Sequence, residues 1–464
     1  MLNPCDQAFA DHLSRHLPDL PLAPAEPRYL EEPRGKWRGQ PTFVAKPRST
    51  GQVAEIVRVA AKTRVGIQPY GGGTGLVGGQ LSGEGPPSLI ISMENMRAIR
   101  SVYESENTLV AEAGATLAEV HSAAENVGRL FPLSYASQGT ATIGAGLAVN
   151  SGGLNVLRYG MARDLCLGIE AVLADGQVFH GLKRLRKDNT GYDLRHLLIG
   201  SEGTLGLITA ASLSLSAIPA ETGTAFLVVD GPDAALKLLS NLRDVAGDTI
   251  SAFELMAREG FDFLSETHPD VRQPFADPPE WSLLIELGTP AALNPNEILE
   301  SVFAEALEEG LVSDGLIATS GAQRAEFWAV REMIPEANRA IGAIASHDIS
   351  LPLSGLADFV REMAPEIEAI APGVRINAFG HLGDGNLHYN MFPPKGQSAK
   401  DFRHLAGEIS KTVHDRVAEY EGSFSAEHGI GRLKTGELLR YGDPAKLSAM
   451  RAIKTALDPL GILN

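Results

Sequence analysis

Apolar residues recur along this chain with two periods. Recurrence every three or four positions predicts a helix, and alternation or a short continuous run predicts a strand. The spacing predicts one short helix over about Asp6–His16, followed by a proline-rich arm, "LPDLPLAPAEPRY". From Trp37 the texture changes to short strands, in "PTFVAKP", "VGIQPYG", "SLIISM" and "TLVAEAG". Two amphipathic helices interrupt them. "STGQVAEIVRVAAKT" has Ser49 or Thr50 as its N-cap, and "TLAEVHSAAENVG" is capped by Thr116 and stopped by Gly128. A short polar side chain in that position satisfies a backbone N–H of the first turn. Strands "IEAVLADGQVF" and "LGLITAASLSLSAI" follow, with Asp175-Gly176 as a hairpin turn between apolar runs.

Near Pro219 the pattern changes again. "TAFLVVDGPDAALKLLSNLRDV" reads as strand then helix, while "TISAFELMA" and "WSLLIELGT" read as strands. "NPNEILESVFAEALEEGLV" is an amphipathic helix with acids in its first turn, where the helix dipole favours them. This alternation predicts an antiparallel sheet with helices on one face. The end of the chain is mainly helical, with a glycine-rich break at "SAEHGIGRLK". The expected class is α+β. The expected divisions are residues 1–36 (helix and arm), 37–218, 219–410 and a helical segment 411–464, and the clearest boundary is near residue 218.

A formal net charge of -17 disfavours nucleic acid and anionic membrane as partners, because the field repels both. No apolar run approaches the roughly 18 residues of a membrane helix. The N-terminus carries acids and histidines where a signal peptide needs a basic and then an apolar stretch. Cys5 and Cys166 have no CxxC spacing, so no disulfide framework is implied, and reduced thiols in a cytoplasmic protein are expected.

The first candidate for chemistry is "IQPYGGGTGLVGGQ", in which Gly73–Gly78 spells G-x-G-x-x-G. A Rossmann loop needs a helix opening out of it, but "GQLSGEGPPSL" follows, rich in residues that break helices. Glu94 imitates the ribose acid only formally without that helix. No Gly-Lys-Ser/Thr follows either, so a P-loop is excluded. What remains is a strand–loop–strand whose backbone N–H groups can form an anion nest. Two further glycine-dense segments follow: Ser137–Gly160, which lacks helix or strand periodicity over much of its length, and Lys187–Ala210. Three such segments suggest a long ligand held mostly by backbone.

"PYGGGTGLVGG", "IGAGLAVNSGG…RYG" and "DNTGYDLRHLLIGSEGTLGLIT" resemble the flavin-binding domain of the vanillyl-alcohol oxidase superfamily, the PCMH type, over about Trp37–Ile218. The resemblance implies paired α+β subdomains with FAD between them. Pro69, Tyr70, Gly71, Gly72, Gly73, Thr74 and Gly75 would cradle the pyrophosphate. Pro132, Gly139, Thr142, Gly144, Gly146, Asn150, Gly152 and Gly153 would line the flavin, and Glu202, Gly203, Gly206 and Ile208 would complete its walls. Some members tether FAD through a histidine in the glycine loop. None occurs here between His16 and His121, so noncovalent FAD is expected.

The second candidate is "NAFGHLGDGNLHYNMF", read as strand, turn, strand. With Gly383–Asn386 as the turn, His381 and His388 face each other, and Asn390 shares the face of His388. Two neutral imidazoles can share a metal ion, and a carboxylate would complete a site with an open position. Glu427 and His428 of "SAEHGIGRLK" supply candidates. The alternative is a pair of polar hairpin histidines satisfied by backbone. "GHLGDGNLHYN" and "AEHGIG" resemble the C-terminal domain of flavin-linked D-2-hydroxyacid dehydrogenases, a group that includes D-2-hydroxyglutarate and D-lactate dehydrogenases. The resemblance implies that His381, His388 and Glu427 bind zinc or another divalent metal, that Asn390 touches substrate, and that His428 is the general base while hydride leaves for flavin N5. In "FWAVREMIPEANRAIGAIASHDISLP", Arg331 would clamp the substrate C1 carboxylate, a planar fork suited to a planar acid. The 2-hydroxyglutarate type carries a threonine and a lysine where Pro335 and Ser346 stand here, so the grip on a second carboxylate is in question; Arg339 or His347 are the available substitutes. At the end of the chain, Asn464 would approach the flavin. The implied substrate is a small 2-hydroxyacid. The implied acceptor is an electron-transfer flavoprotein or a quinone, since no second nucleotide motif is present for a nicotinamide, and the implied assembly is a homodimer. Two alternatives stand beside this: the flavin subunit of a glycolate-oxidase-type complex, and alkyl-glycerone-phosphate synthase chemistry, for which phosphate-binding residues are not evident.

Overall fold

Ser49 and Thr116 start helices as their positions suggest. Ser49 accepts the Gln52 N–H at the head of Thr50–Thr63. Thr116 accepts the Glu119 N–H while the Glu119 carboxylate takes the Thr116 N–H, a reciprocal cap on Leu117–Glu125. The computed structural model describes residues 1–33, 35 and 37–464; Arg34 and Lys36 of the expected arm lie outside the described residues. The chain divides into two compact units. The first comprises Met1–Gly153, Tyr159–Ile218 and Glu427–Asn464, and the second Leu154–Arg158 and Pro219–Ala426.

The first unit contains two principal sheets. In the four-stranded one, Phe43–Ala45, Leu89–Ser92 and Ile67–Tyr70 run parallel, and Leu22–Pro24 adds an antiparallel edge. The five-stranded one is antiparallel, in the order Ile99–Tyr103, Thr108–Glu112, Leu207–Ser214, Cys166–Val172, Val178–Gly181. The last two strands form the hairpin turned by Asp175-Gly176, with Gly176 at φ 79°. Each sheet has its own apolar core. Phe9 and Leu13 of helix Gln7–His16 lie in the first of these cores, so the N-terminal helix packs within this unit. Ile462 and Leu463 join the same core, and Leu463 bridges to Ile67.

One glycine-rich stretch differs from expectation. Ile143–Val149 is helical although Gly144 and Gly146 lie inside it. A side chain at Gly144 would stand 2.6 Å from the Ala113 Cβ. Close packing therefore requires glycine there, and it overrides a propensity cost of about 1 kcal/mol.

The second unit is built on one antiparallel sheet. Its strands are β1 (Glu221–Val229), β2 (Ile250–Ala257), β3 (Trp281–Thr289), β4 (Val312–Ile317), β5 (Ala345–Ser350), β6 (Arg375–His381) and β7 (Asn386–Phe392). They lie in the order β4-β1-β3-β2-β6-β7-β5. The helices are α1 (Pro232–Ala246), α2 (Arg258–Thr267), α3 (Pro295–Glu308), α4 (Gly321–Ile341), α5 (Leu353–Ile370) and α6 (Ala406–Glu419). Alternation along the strands feeds two cores, so the expectation of helices on one face is corrected. Leu227, Leu255, Ile285 and Tyr389 pack with α1, α3, α5 and α6, whereas Phe226, Met256, Leu284 and Phe379 pack with α2 and α4 on the other face. Both faces of the sheet are apolar, and each needs a cover. The border expected at residue 410 falls inside α6, whose Ile409, Val413 and Val417 belong to this unit's core; the chain leaves the unit after Ala426.

Candidate active site

In the first unit the three glycine-rich segments meet. A Cβ on Gly72 would stand 2.0 Å from the Thr140 carbonyl oxygen, and one on Gly71 would stand 2.5 Å from the Ala145 Cβ. Gly203, at φ +74°, lies so close to Pro69 that a Cβ would come within 2.4 Å of its ring. Gly71 and Gly72 therefore run close against Thr140–Ala145, an approach that a side chain at either position would block. Thr142 points a buried hydroxyl that has no hydrogen-bond partner among the described residues into this junction, 2.7 Å from where a Gly71 side chain would begin. A buried polar atom of that kind calls for a partner. Beside Gly139 there is open space. An orphaned hydroxyl on a glycine-walled cradle fits a cofactor held by main-chain groups.

Other expected flavin contacts have work within the chain. Asn150 accepts the Arg163 N–H through Oδ1 (2.9 Å), and Ile208 lies in the core. Pro132 and Gly152 are buried, and Gly153 packs on the Ser134 carbonyl. Gly206 lies against Leu198 and Gly146 against Ser151, while Gly75 is beside Gln80. The Glu202 carboxylate accepts the N–H groups of Ile430 (2.8 Å) and Gly431 (2.7 Å), and so pins the turn that follows His428. Asn464 donates from Nδ2 to the Glu202 carbonyl (2.9 Å) and from its main chain to Ile67. Thr74 and His428 are half-buried.

In the second unit, the face of the sheet toward α2 and α4 carries the polar cluster. His381 pairs across the strands with Glu254 of β2, and His388 pairs with Phe379 on one side and Asp348 on the other. The two imidazoles are therefore diagonal neighbours, with ring centroids 5.8 Å apart, and not directly opposed as the hairpin alone suggests. The turn is Leu382–Asp384 closed by Gly385 in the left-handed region. Glu254 is completely buried. One of its oxygens lies 2.6 Å from His381 Nδ1, and the other accepts the Arg331 Nε–H at 2.7 Å. Burial pushes the Glu254 carboxyl up, but His381 and Arg331 outweigh that and hold it down at about 2. The Asp348 carboxylate lies 3.7 Å from His388 Nδ1 and accepts from Asn386 Nδ2. Each histidine thus has a buried carboxylate on its Nδ1 side. At 2.6 Å the Glu254 contact orients the His381 imidazole to present Nε2.

Arg331 comes from α4, is 4% exposed and lies over the Phe379 ring at 5.0 Å. Among the described residues its Nη1 and Nη2 donate to no acceptor. Asn390 shares the face of His388, pairs with Asn377, and uses its Oδ1 to accept the His347 N–H (3.0 Å). The suggested substitutes for a second carboxylate grip are placed differently from one another. His347 alternates to the other side, where its ring meets the Tyr389 carbonyl and Ser410. Arg339 is exposed and paired with Glu336, and Pro335 is exposed on α4. Ser346 is on the site face, paired with Asn390. Ala426 donates its N–H to the Asp348 carbonyl (3.1 Å), so the chain passes beside His388's own strand partner immediately before Glu427.

Glu254 and Asp348 were not evident from the sequence as site residues. The available signal for Glu254 was a charged residue in the middle of the otherwise apolar strand ISAFELMA, whereas Asp348 lies among the polar residues of ASHDIS and has no such signal.

Residues 218–464 match the family described as "FAD linked oxidases, C-terminal domain", and residues 41–181 match "FAD binding domain". The chain belongs to the FAD-linked oxidase family and is an FAD-linked oxidoreductase. It is 37% identical over 444 residues to "D-2-hydroxyglutarate dehydrogenase, mitochondrial" of Bos taurus, covering 95% of this chain and 79% of that one. It is 33% identical over 429 residues to "D-2-hydroxyglutarate dehydrogenase" of Xanthomonas citri pv. viticola, covering 92% and 89%. The solved structure of p-cresol methylhydroxylase with substrate bound shares the fold, with a TM-score of 0.71 at 14% identity over 100% of this chain and 98% of that one. The PCMH-type α+β fold expected from the glycine segments is thereby established.

Proposed function

We propose that this enzyme oxidises a D-2-hydroxyacid to the 2-oxoacid, with noncovalent FAD as hydride acceptor and a divalent ion at His381, His388 and Glu427. The observation that carries the substrate class is Arg331, a buried cation tied to Glu254 only through Nε. Its two terminal nitrogens are the paired donors that a carboxylate accepts side by side. The relatives named above act on such an acid. Asn390, with its oxygen held by His347, has its amide N–H groups for the same substrate.

Support for the metal comes from the donor set. His381 has the Glu254 carboxylate at 2.6 Å from Nδ1, which leaves Nε2 as its ligand nitrogen, and His388 has the Asp348 carboxylate 3.7 Å from Nδ1. Glu427 follows Ala426, which is bonded to Asp348, and would add the charged oxygen. When bound, a divalent ion supplies positive charge for the alkoxide that develops at C2. FAD, held by the glycine cradle, supplies the two-electron acceptor. His428, in the turn pinned by Glu202, takes the hydroxyl proton as hydride leaves C2. Zinc is the proposed ion. Electrons then pass to an electron-transfer flavoprotein or a quinone, and the assembly proposed is a homodimer. Cys5 and Cys166 are buried and unlinked, which suits the reducing cytoplasm as the compartment. Among the described residues no helix is long and apolar enough to cross a membrane.

The test is His388→Ala, purified with its flavin. Bound metal and turnover should both be lost while the flavin spectrum is kept. Retention of both would refute the metal assignment.

A further inference from the structure

We infer that Glu254 is a positioning residue shared by the metal ligands and the substrate clamp. The inference rests on the proposed metal site and goes beyond it, because Glu254 itself touches neither metal nor substrate. A single fully buried carboxylate divides its oxygens between two functional groups that come from different elements: Oε1 to His381 Nδ1 on β6 at 2.6 Å, and Oε2 to Arg331 Nε on α4 at 2.7 Å.

Each contact has a consequence. A carboxylate on Nδ1 fixes the tautomer of His381, with the proton on Nδ1 and the lone pair on Nε2. The strand register reinforces this, since Glu254 and His381 are direct cross-strand partners and their separation is set by the sheet. On the other side, the bond to Nε anchors the guanidinium to Glu254, and Nη1 and Nη2 donate to no acceptor among the described residues. Phe379, beneath the guanidinium at 5.0 Å, limits its tilt. Asp348 provides His388 with a looser version of the same support, at 3.7 Å and without a link to the arginine. Glu254 is therefore the point at which metal binding and carboxylate recognition share one anchor.

The test compares wild type, Glu254→Gln, Arg331→Met, His388→Ala and the double variant Glu254→Gln/Arg331→Met. Each is purified with FAD, stripped with a chelator and titrated with Zn2+ against a chromogenic competitor. Flavin absorbance is recorded as an independent check of the first unit. Glu254→Gln keeps the shape but replaces the anionic acceptor with a neutral amide, and it should weaken Zn2+ binding by about 10- to 100-fold. At saturating Zn2+ its KM for the hydroxyacid should rise about tenfold or more, with kcat changed less, because the clamp is misaimed. Unchanged Zn2+ affinity and unchanged KM would overturn the inference.

Should the single variant not fold, because it leaves the arginine charge buried and unpaired, the double variant decides. Removing both charges together avoids that penalty. The double variant should then bind Zn2+ far more weakly than Arg331→Met alone. Equal affinities for the two would overturn the inference. His388→Ala separates the two levels: if it keeps its Zn2+, the metal-site reading fails, whatever Glu254→Gln does.

Discussion

Replacing Arg331 by methionine removes one partner of a buried ion pair and leaves most of the apolar stem. The pair is dry, with Arg331 4% exposed and Glu254 not exposed at all, and its Nε–Oε2 distance is 2.7 Å. Removing one member of such a pair costs about 3–5 kcal/mol, because the remaining charge is buried without compensation. His381 stays 2.6 Å from the other Glu254 oxygen, so the low end of that range, about 3 kcal/mol, is expected. The substrate loses its charge-assisted bonds as well, worth about 1.5–3 kcal/mol, which corresponds to a KM increase of roughly 10- to 150-fold. The stability change can be read by denaturant unfolding with tryptophan fluorescence. Of the three tryptophans, Trp281 and Trp328 lie in the second unit, where Trp328 of α4 donates to Glu286, and Trp37→Phe removes the one in the first. Visible flavin absorbance follows the first unit separately. A fluorescence midpoint and a KM both equal to those of the wild type would refute the buried-clamp argument.

Other consequences are equally direct. Gly72→Ala would put a Cβ 2.0 Å from the Thr140 carbonyl, so the loop must move; the purified variant should lack flavin absorbance while the tryptophan transition of the second unit is unchanged. Ser346→Lys adds a cation on the site face beside Asn390, and should raise kcat/KM for a dicarboxylic 2-hydroxyacid relative to D-lactate; an unchanged ratio would show that Ser346 does not meet the distal end of the substrate. Burial pushes the Glu170 carboxyl up, yet hydrogen bonds from Thr50, Arg100 and Thr209 hold it below its ordinary value. The folded pKa is thus below the unfolded one, so its stabilisation is present above about pH 4.3 and fades as the pH falls through the folded value. Glu170→Gln should therefore lose stability near neutrality and show a flatter acid limb in stability measured against pH.

What the sequence revealed was mostly local. Ser49, Thr116 and Asp175-Gly176 act on neighbours a few residues away, and their roles follow from short-range chemistry. The glycine segments were readable as a cradle because glycine density in three places has few other physical causes. Glu254 was hidden because its partners lie 77 and 127 residues away, and "SAFELMA" contains no local trace of either. The two-faced sheet was hidden for a related reason. Strands apolar on both sides do not reveal which helix covers which face, and α2 and α4 are chosen by tertiary packing. Ile143–Val149 reads as a loop by propensity and is a helix by packing.

The central claim is that a D-2-hydroxyacid delivers hydride to the flavin of this chain. The most direct measurement is the anaerobic visible spectrum of the purified holoenzyme, before and after addition of D- and L-2-hydroxyacids of graded length and charge. Bleaching of the flavin band by a D-acid, with the matching L-acid inert, is the expected result. A flavin band that no hydroxyacid of either hand bleaches would contradict the account.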